Sequence, residues 1–258
     1  MRNKKWNVKA TAVAMVLAMA MAFAACGGDD VEKISGGITP AAVDEKDPEE
    51  ATVTPDATVE NQDATEDAGK TTSLGRVQGG MYVNEYMGIS CNLDEGWEFY
   101  TAEELQEMPE DVAAMFEGTD VEDEMSQMNY ITDMSAENAE ELTNMNIIYE
   151  KMDLQTRLAF KSMTNTDIVD GMLTHQKDML ISTYAQAGIN VQEMSKKTVN
   201  FCGEERDVLY MACDVSGVAY YAIQVFDYSL GEYSVTLTVT SFVEDKTEEL
   251  LTLFSKYE

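Results

Sequence analysis

Histidine occurs once in the 258 residues, at His175. A zinc site needs several His or Cys ligands at close spacing. The chain has four cysteines but no Cys-x-x-Cys pair and no His-Glu-x-x-His run. A histidine-dependent nucleophile needs Ser or Cys beside the imidazole, and the helix neighbours of His175 are Thr174 and Asp178. No Gly-rich loop cradles phosphate: Gly27-Gly28, Gly36-Gly37 and Gly79-Gly80 lie in or beside a low-complexity stretch. The expectation is therefore no catalytic residue, no metal and no cofactor. Cations are also scarce, 17 Lys and Arg against 48 acids, for a formal charge of −31. With no basic stripe to neutralise phosphates, nucleic acid is not expected as a partner.

Acids are missing from the first 28 residues, which instead carry Arg2, Lys4, Lys5 and Lys9. From Ala10 to Ala25 the chain is apolar except for Thr11. A positive stretch followed by an apolar one is an export signal. As a helix it would be roughly 24 Å long, short of the ~30 Å of a bilayer core. No later apolar run is long enough to span. Two cuts fit its end. A small-x-small site, Ala22-Phe23-Ala24, would release a soluble protein. A cut before Cys26 would leave that cysteine as the new N-terminus.

Phe23-Ala24-Ala25-Cys26, followed by Gly27, resembles the lipobox of bacterial lipoproteins. Leu usually stands where this chain has Phe23. The resemblance implies a diacylglyceryl group on the Cys26 thiol and a protein held at the outer face of the cell membrane. Two acyl chains anchor stably where one is marginal. The alternative is a secreted protein.

Between Gly27 and Gly80 there is no aromatic residue, and three of the four prolines (Pro40, Pro48, Pro55) fall here. Thirteen acids face only Lys33, Lys46, Lys70 and Arg76. Such a segment cannot bury enough apolar surface to offset its ordering entropy. It reads as a tether with a coil dimension of about 40 Å. The expected organisation is a leader (1–25), a lipidated Cys26 with its acidic tether (26–80), and one folded domain (81–258) large enough for a sizeable core.

Within that domain, Tyr82 to Asn92 reads as a strand kinked at Gly88, continued by "EGWEFYT". Ala102 to Met128 reads as two short helices broken at Pro109 and Gly118. Residues 128–134 and 145–153 read as paired strands, with "SAENAEEL" between them as a loop or helical turn. Thr166 to Gly188 has helical spacing of apolar residues. Four strands follow: Ile189–Phe201, Arg206–Val215, Val218–Tyr228 and Glu232–Val243. Their turns fall at Gly203-Glu204, Ser216-Gly217 and Leu230-Gly231, which implies an antiparallel meander. Asp245 to Tyr257 reads as a closing helix. The class is α+β, an antiparallel sheet flanked by helices.

"NEYMGISCNLDEGWEFYT" resembles the opening of the PsbP-like fold, and the closing helix–meander–helix order from Thr166 to Glu258 fits it. That fold, an α/β/α sandwich, takes its name from an extrinsic subunit of photosystem II. The resemblance implies binding or assembly rather than catalysis, and it carries over no functional residue. The expected function is a non-catalytic binding or assembly module at the cell envelope, with an envelope protein as partner. The alternatives are a small-ligand-binding lipoprotein and a carboxylate-dependent hydrolase, because 48 acids leave room for a carboxylate pair.

The remaining side-chain chemistry reads as structural. Met125 and Met128 stand three apart but belong to a scatter of gap-filling methionines. The acids of "TDVEDEMS" (119–126) lack EF-hand spacing. Cys91, Cys202 and Cys213 read as small buried hydrophobes. Cys202–Cys213 is too far to bridge across one hairpin, whereas Cys91–Cys213 needs adjoining strands. The anchor has a direct check. Cys26→Ser is expected to move the protein from the membrane fraction to the soluble fraction of fractionated cells. Retention in the membrane would overturn lipidation.

Overall fold

Alternating β-branched and polar residues set out the strands of this molecule, which pair as antiparallel sheet. The computed structural model describes residues 75–115, 118, 130–227 and 232–257. In chain order the elements are β1 (Gly75–Gln78), β2 (Met81–Asn84), β3 (Ile89–Asn92), β4 (Glu98–Phe99) and α1 (Ala102–Met115). Next come β5 (Tyr130–Asn138), β6 (Thr143–Lys151), α2 (Leu154–Phe160), α3 (Asn165–Gly171), a π-helical turn (Met172–Gln176) and α4 (Lys177–Gln186). The chain closes with β7 (Ile189–Phe201), β8 (Glu204–Val215), β9 (Val218–Asp227), β10 (Tyr233–Phe242), α5 (Thr247–Leu251) and β11 (Phe254–Lys256).

The strands form two sheets. The larger runs β4-β5-β6-β10-β9-β8-β7 and the smaller β1-β2-β3-β11. Every strand pair is antiparallel. One face of the large sheet packs on α1, α2, α3 and α4 around Met172, Leu180, Tyr184, Met211 and Phe226. The other face packs on the small sheet and α5 around Tyr82, Met145, Leu237, Leu251 and Phe254. The class is α+β, as expected, with helices against both faces of an antiparallel sheet.

The meander follows the sequence closely because its turns are chemically specified. Cys202-Gly203 and Ser216-Gly217 join their strands in two residues, each residue with positive φ. Such turns match the twist of the flanking strands, and glycine at the second position carries no Cβ penalty. Asn200 Oδ1 accepts from the Gly203 N–H at 3.2 Å, and Asp214 Oδ1 accepts from the Gly217 N–H at 2.9 Å. The first turn thus lies one residue before the expected place. The expected Leu230-Gly231 turn lies outside the described residues.

Elsewhere the structure corrects the sequence reading. Tyr82 to Asn92 is a hairpin of β2 and β3, not one kinked strand. The β1 strand sits in residues assigned to the tether and pairs with β2, so the ordered region already includes Gly75. The α1 helix runs through Pro109 instead of stopping there. A proline removes a single i→i−4 bond, and α1 is held by docking on β5 and by the buried Met108. The β5 strand extends to Asn138, leaving four residues as the turn to β6. The helix α2 was not foreseen. Asp153 caps it, its Oδ1 accepting from the Thr156 N–H at 2.7 Å. The closing helix is only α5, and Phe254–Lys256 leave it to pair with β3.

The two sheets are tied together at one buried carboxylate. A bulge between Thr132 and Met134 in β5 leaves Asp133 out of the ladder, and its side chain reaches the small sheet. Its oxygens accept from the Gly75 N–H at 3.0 Å, from the Asn84 amide at 3.0 Å and from the Tyr82 hydroxyl. The same Asn84 amide bonds the Tyr149 oxygen at 2.6 Å. Burial, then the neighbouring Asp133 charge, push the Tyr82 and Tyr149 hydroxyls well above their usual range, which keeps them as donors. A Cβ on Gly75 would run into the Tyr82 ring and stand 2.6 Å from Asp133 Oδ2.

Asp133→Ala removes the acceptor shared by the Gly75 N–H, the Asn84 amide and the buried Tyr82 hydroxyl. At about 1–3 kcal/mol for a buried group left unpaired, the expected loss is roughly 2 kcal/mol. Urea unfolding measures it, and a loss below about 1 kcal/mol would show that the carboxylate does not hold the sheets together.

Candidate functional site

The residues singled out in the sequence do not converge. Cys26, the acids of 119–126, Met125 and Met128 lie outside the described residues. His175 lies on the π-helical turn, exposed, with Thr174 and Asp178 also exposed. Cys91 is buried between the two sheets and Cys213 under the helices, on opposite faces of the large sheet. Their strands do not adjoin, so a Cys91–Cys213 bridge is ruled out. Cys202 occupies the β7–β8 turn, and all three thiols are free. Burial pushes Cys91 and Cys213 up to about 12, so they stay protonated and unreactive. No group of three or more His, Cys, Asp or Glu side chains among the described residues is placed to hold a metal ion. No helix among them is long and apolar enough to cross a membrane.

Two other features were not legible as sites. The first is an open groove of about 870 Å³ between α2, the start of α3 and the β7–β8 end of the large sheet. Leu154 and Leu158, one helical turn apart, point outward at 63% and 61% exposure. Beside them lie Arg157 and Lys161. Arg157 reaches Glu232 at 3.6 Å, but its Nε has no acceptor among the described residues. The opposite wall carries Glu204, Glu205, Asp207 and Asp227. Arg206 partly neutralises it, at 3.6 Å from Asp227 and 4.0 Å from Glu204. The groove thus has a cationic, apolar helix wall and an acidic sheet wall.

The second feature is the floor under the helical layer. Alternation in β6 and β10 puts Asn144, Asn146, Thr236, Thr238 and Thr240 on one face. In register, Ser135, Asn146 and Thr238 lie side by side, flanked by Asn144 beside Thr240 and by a row in which Ile148 stands between Thr132 and Thr236. At ~4.8 Å between strands, each row crosses about 10 Å of sheet. A polar face on an antiparallel sheet ordinarily meets water. This one is buried: Ser135, Asn144 and Asn146 are 1% exposed, and Thr236 and Thr238 not at all. The Ser135, Thr132, Thr236 and Thr238 hydroxyls, the Asn144 oxygen and both polar atoms of Asn146 have no hydrogen-bond partner among the described residues. Left dry, each such group costs about 1–3 kcal/mol. Six of them would cancel the roughly 5–15 kcal/mol that holds a domain together.

Carboxyls stand at the two ends of this floor. Tyr100 donates to Glu137 at 3.0 Å, and desolvation raises the Glu137 pKa. Burial pushes the Glu150 carboxyl up to about 7. In β10 and β5, Ser234 and Tyr130 lie opposite Glu150.

The comparisons with known proteins are sparse. No family model matches the chain, and no curated protein matches it. The solution structure of a cyanobacterial PsbP (CyanoP) from Synechocystis sp. PCC 6803 is similar at 13% identity and a TM-score of 0.39, over 74% of this chain and 99% of that one. The α+β class rests on the strand order and layering above.

Glu150 makes stability depend on pH with a definite sign. Its folded pKa, about 7, lies above the ordinary glutamate value of 4.5, so the folded state binds the extra proton. Stability from this group is greatest below the unfolded value and falls as pH rises through the folded one. Glu150→Gln is expected to raise stability at pH 8 to 9 by up to about 3 kcal/mol and to leave it unchanged at pH 4. Urea midpoints across that range measure the effect, and equal midpoints at pH 9 would contradict it.

Proposed function

We propose that this chain is a bacterial lipoprotein carrying a PsbP-like domain, tethered through Cys26 to the outer face of the cell membrane, and that the domain is a non-catalytic binding module for an envelope protein. The lipid reading rests on the leader and Phe23-Ala24-Ala25-Cys26. The PsbP-like reading rests on the opening motif and on the element order. The groove beside α2 is the observation that carries the binding role. Two outward leucines one turn apart are apolar anchors that a lone domain gains nothing by exposing. Arg157 and Lys161 flank them in a chain where cations are few.

The groove fits a partner segment with two apolar residues, an acid facing Lys161 and a base facing the Glu204–Asp227 wall. Like charges set against either wall would be excluded, which gives the groove its selectivity. The long acidic tether suits this role. It keeps the domain away from anionic lipid while letting it reach a neighbour in the same membrane.

A photo-crosslinking residue at Leu158 of the full-length protein, activated in cells, is expected to trap one protein in near-equal amount. The same residue at Val218, at the other end of β8 and β9, is expected not to trap it. Leu158→Glu is expected to abolish capture from a crosslinker at Leu154. If both positions recover the same abundant proteins, the groove is not a binding surface.

A further inference from the structure

We infer that the end of the large sheet formed by the β5–β6 turn, the β8–β9 turn and the corner after β10 is a docking surface for a protein segment in which Lys or Arg alternates with apolar residues. Three apolar side chains stand outward there: Leu142 at 40% exposure, Val218 at 42% and Val243 at 65%. None of them belongs to either core. They are neighbours across adjoining strands. The Phe242 N–H donates to the Leu142 carbonyl at 3.0 Å, and the Val243 N–H donates to the Ala219 carbonyl, next to Val218, at 2.9 Å. Half-buried Phe242 supports the patch from below, its ring 5.0 Å from that of buried Tyr220.

The backbone is strained where it presents two of these side chains. Leu142 has a φ of 55° and Val243 a φ of 72°. The Glu244 N–H donates back to the Phe242 carbonyl at 2.8 Å. Val243 is therefore the centre of a γ-turn of the rare, positive-φ form. A β-branched residue is poorly suited to that conformation, and glycine would hold it without penalty. Packing does not repay the strain, because Val243 is the most exposed large apolar residue among those described. Strain retained in this way clusters at binding surfaces.

The charge around the patch selects its occupant. Glu140, Glu141, Glu244 and Glu249 are exposed in the two flanking segments. Lys246 stands among them, 2.9 Å from Glu141 and under the influence of Glu244 and Glu249. The excess is acidic. A second copy would set acid against acid, and anionic lipid would be repelled. Cations flanking apolar groups meet both the rim and the centre. The patch lies at the Val215–Val218 end of β8 and β9, whereas the α2 groove takes Glu204 to Asp207 and Asp227 from the other end. It does not depend on the reading of that groove.

The test uses the full chain and two short capped peptides, one alternating Lys with Leu, the other Glu with Leu. Methyl NMR and calorimetry follow binding. The Lys peptide is expected to bind saturably, to shift the Leu142, Val218 and Val243 methyls, and to weaken roughly tenfold between about 50 and 500 mM salt. The Glu peptide is expected not to bind. Val243→Gly and Leu142→Gly are each expected to weaken binding roughly tenfold or more. Val243→Gly is also expected to raise the urea midpoint, because glycine relieves the positive φ. Stability gained as binding is lost is a pairing that a merely structural turn does not give. Leu158→Glu, in the groove, is expected to bind as the wild type does. Binding undiminished in both glycine variants would assign the peptide to the acidic surface at large and overturn the site. So would shifts confined to other methyls, equal binding of the Glu peptide, or no saturable binding. A lowered midpoint for Val243→Gly would remove the strain on which the inference rests.

Discussion

The Asp133 carboxylate is the point on which the layering depends. A carboxylate buried between two sheets is tolerable only when its lone pairs are met. Here a backbone N–H, a phenol and a carboxamide meet them, all from β1 and β2. The bulge that frees Asp133 from its own ladder is what lets it face the small sheet. Gly75 lets the β1 backbone come close enough to donate. With the small sheet so placed, Cys91, Ile89 and Phe254 close the second core. Three tyrosines, Tyr86, Tyr149 and Tyr233, then pack edge-to-face at about 6 Å along its margin.

Ion pairs hold little of this together. Arg76–Glu85, Lys246–Glu141 and Lys256–Glu204 are exposed, and such pairs contribute about 0–1 kcal/mol each. Their effect is on what the surface offers. Most described cations sit beside a carboxylate, Arg157 of the α2 wall among them. Inside the molecule the same scarcity of cations leaves Glu150 to respond to burial alone.

The sequence made the local half of the fold legible. In β7 to β10, β-branched residues alternate and the turn residues punctuate them, so the meander can be read without knowing its neighbours. The antiparallel pairing of β5 with β6 was legible for the same reason. Features that depend on distant partners were not. The strand β11 is three residues long and follows a helix-like stretch, and only the edge of β3 makes it a strand. Gly75–Gln78 look like the end of a polar tether until β2 and Asp133 are set beside them. The α2 helix is short enough for its cap at Asp153 to be the main local sign. The polar floor was hidden in plain alternation. "TNMNIIYE" and "YSVTLTVTSF" read as half-exposed strands, and only the helical layer above turns their polar faces inward.

The pairing of β3 with β11 also bears on how the chain reaches this state. Ser90 and Ser255, hydrogen-bonded at 3.0 Å, are 165 residues apart along the chain. Contacts of that separation form late, because the loop entropy must be overcome before they return anything. Until they form, the β2–β3 hairpin keeps one open edge of unpaired amides and carbonyls, a template for strands of other molecules. If the chain is exported as proposed, it meets this interval in a crowded envelope. The acidic stretch ahead of β1 would then act as a solubilising escort, its like charges keeping neighbouring half-folded copies apart while the last strand finds its place.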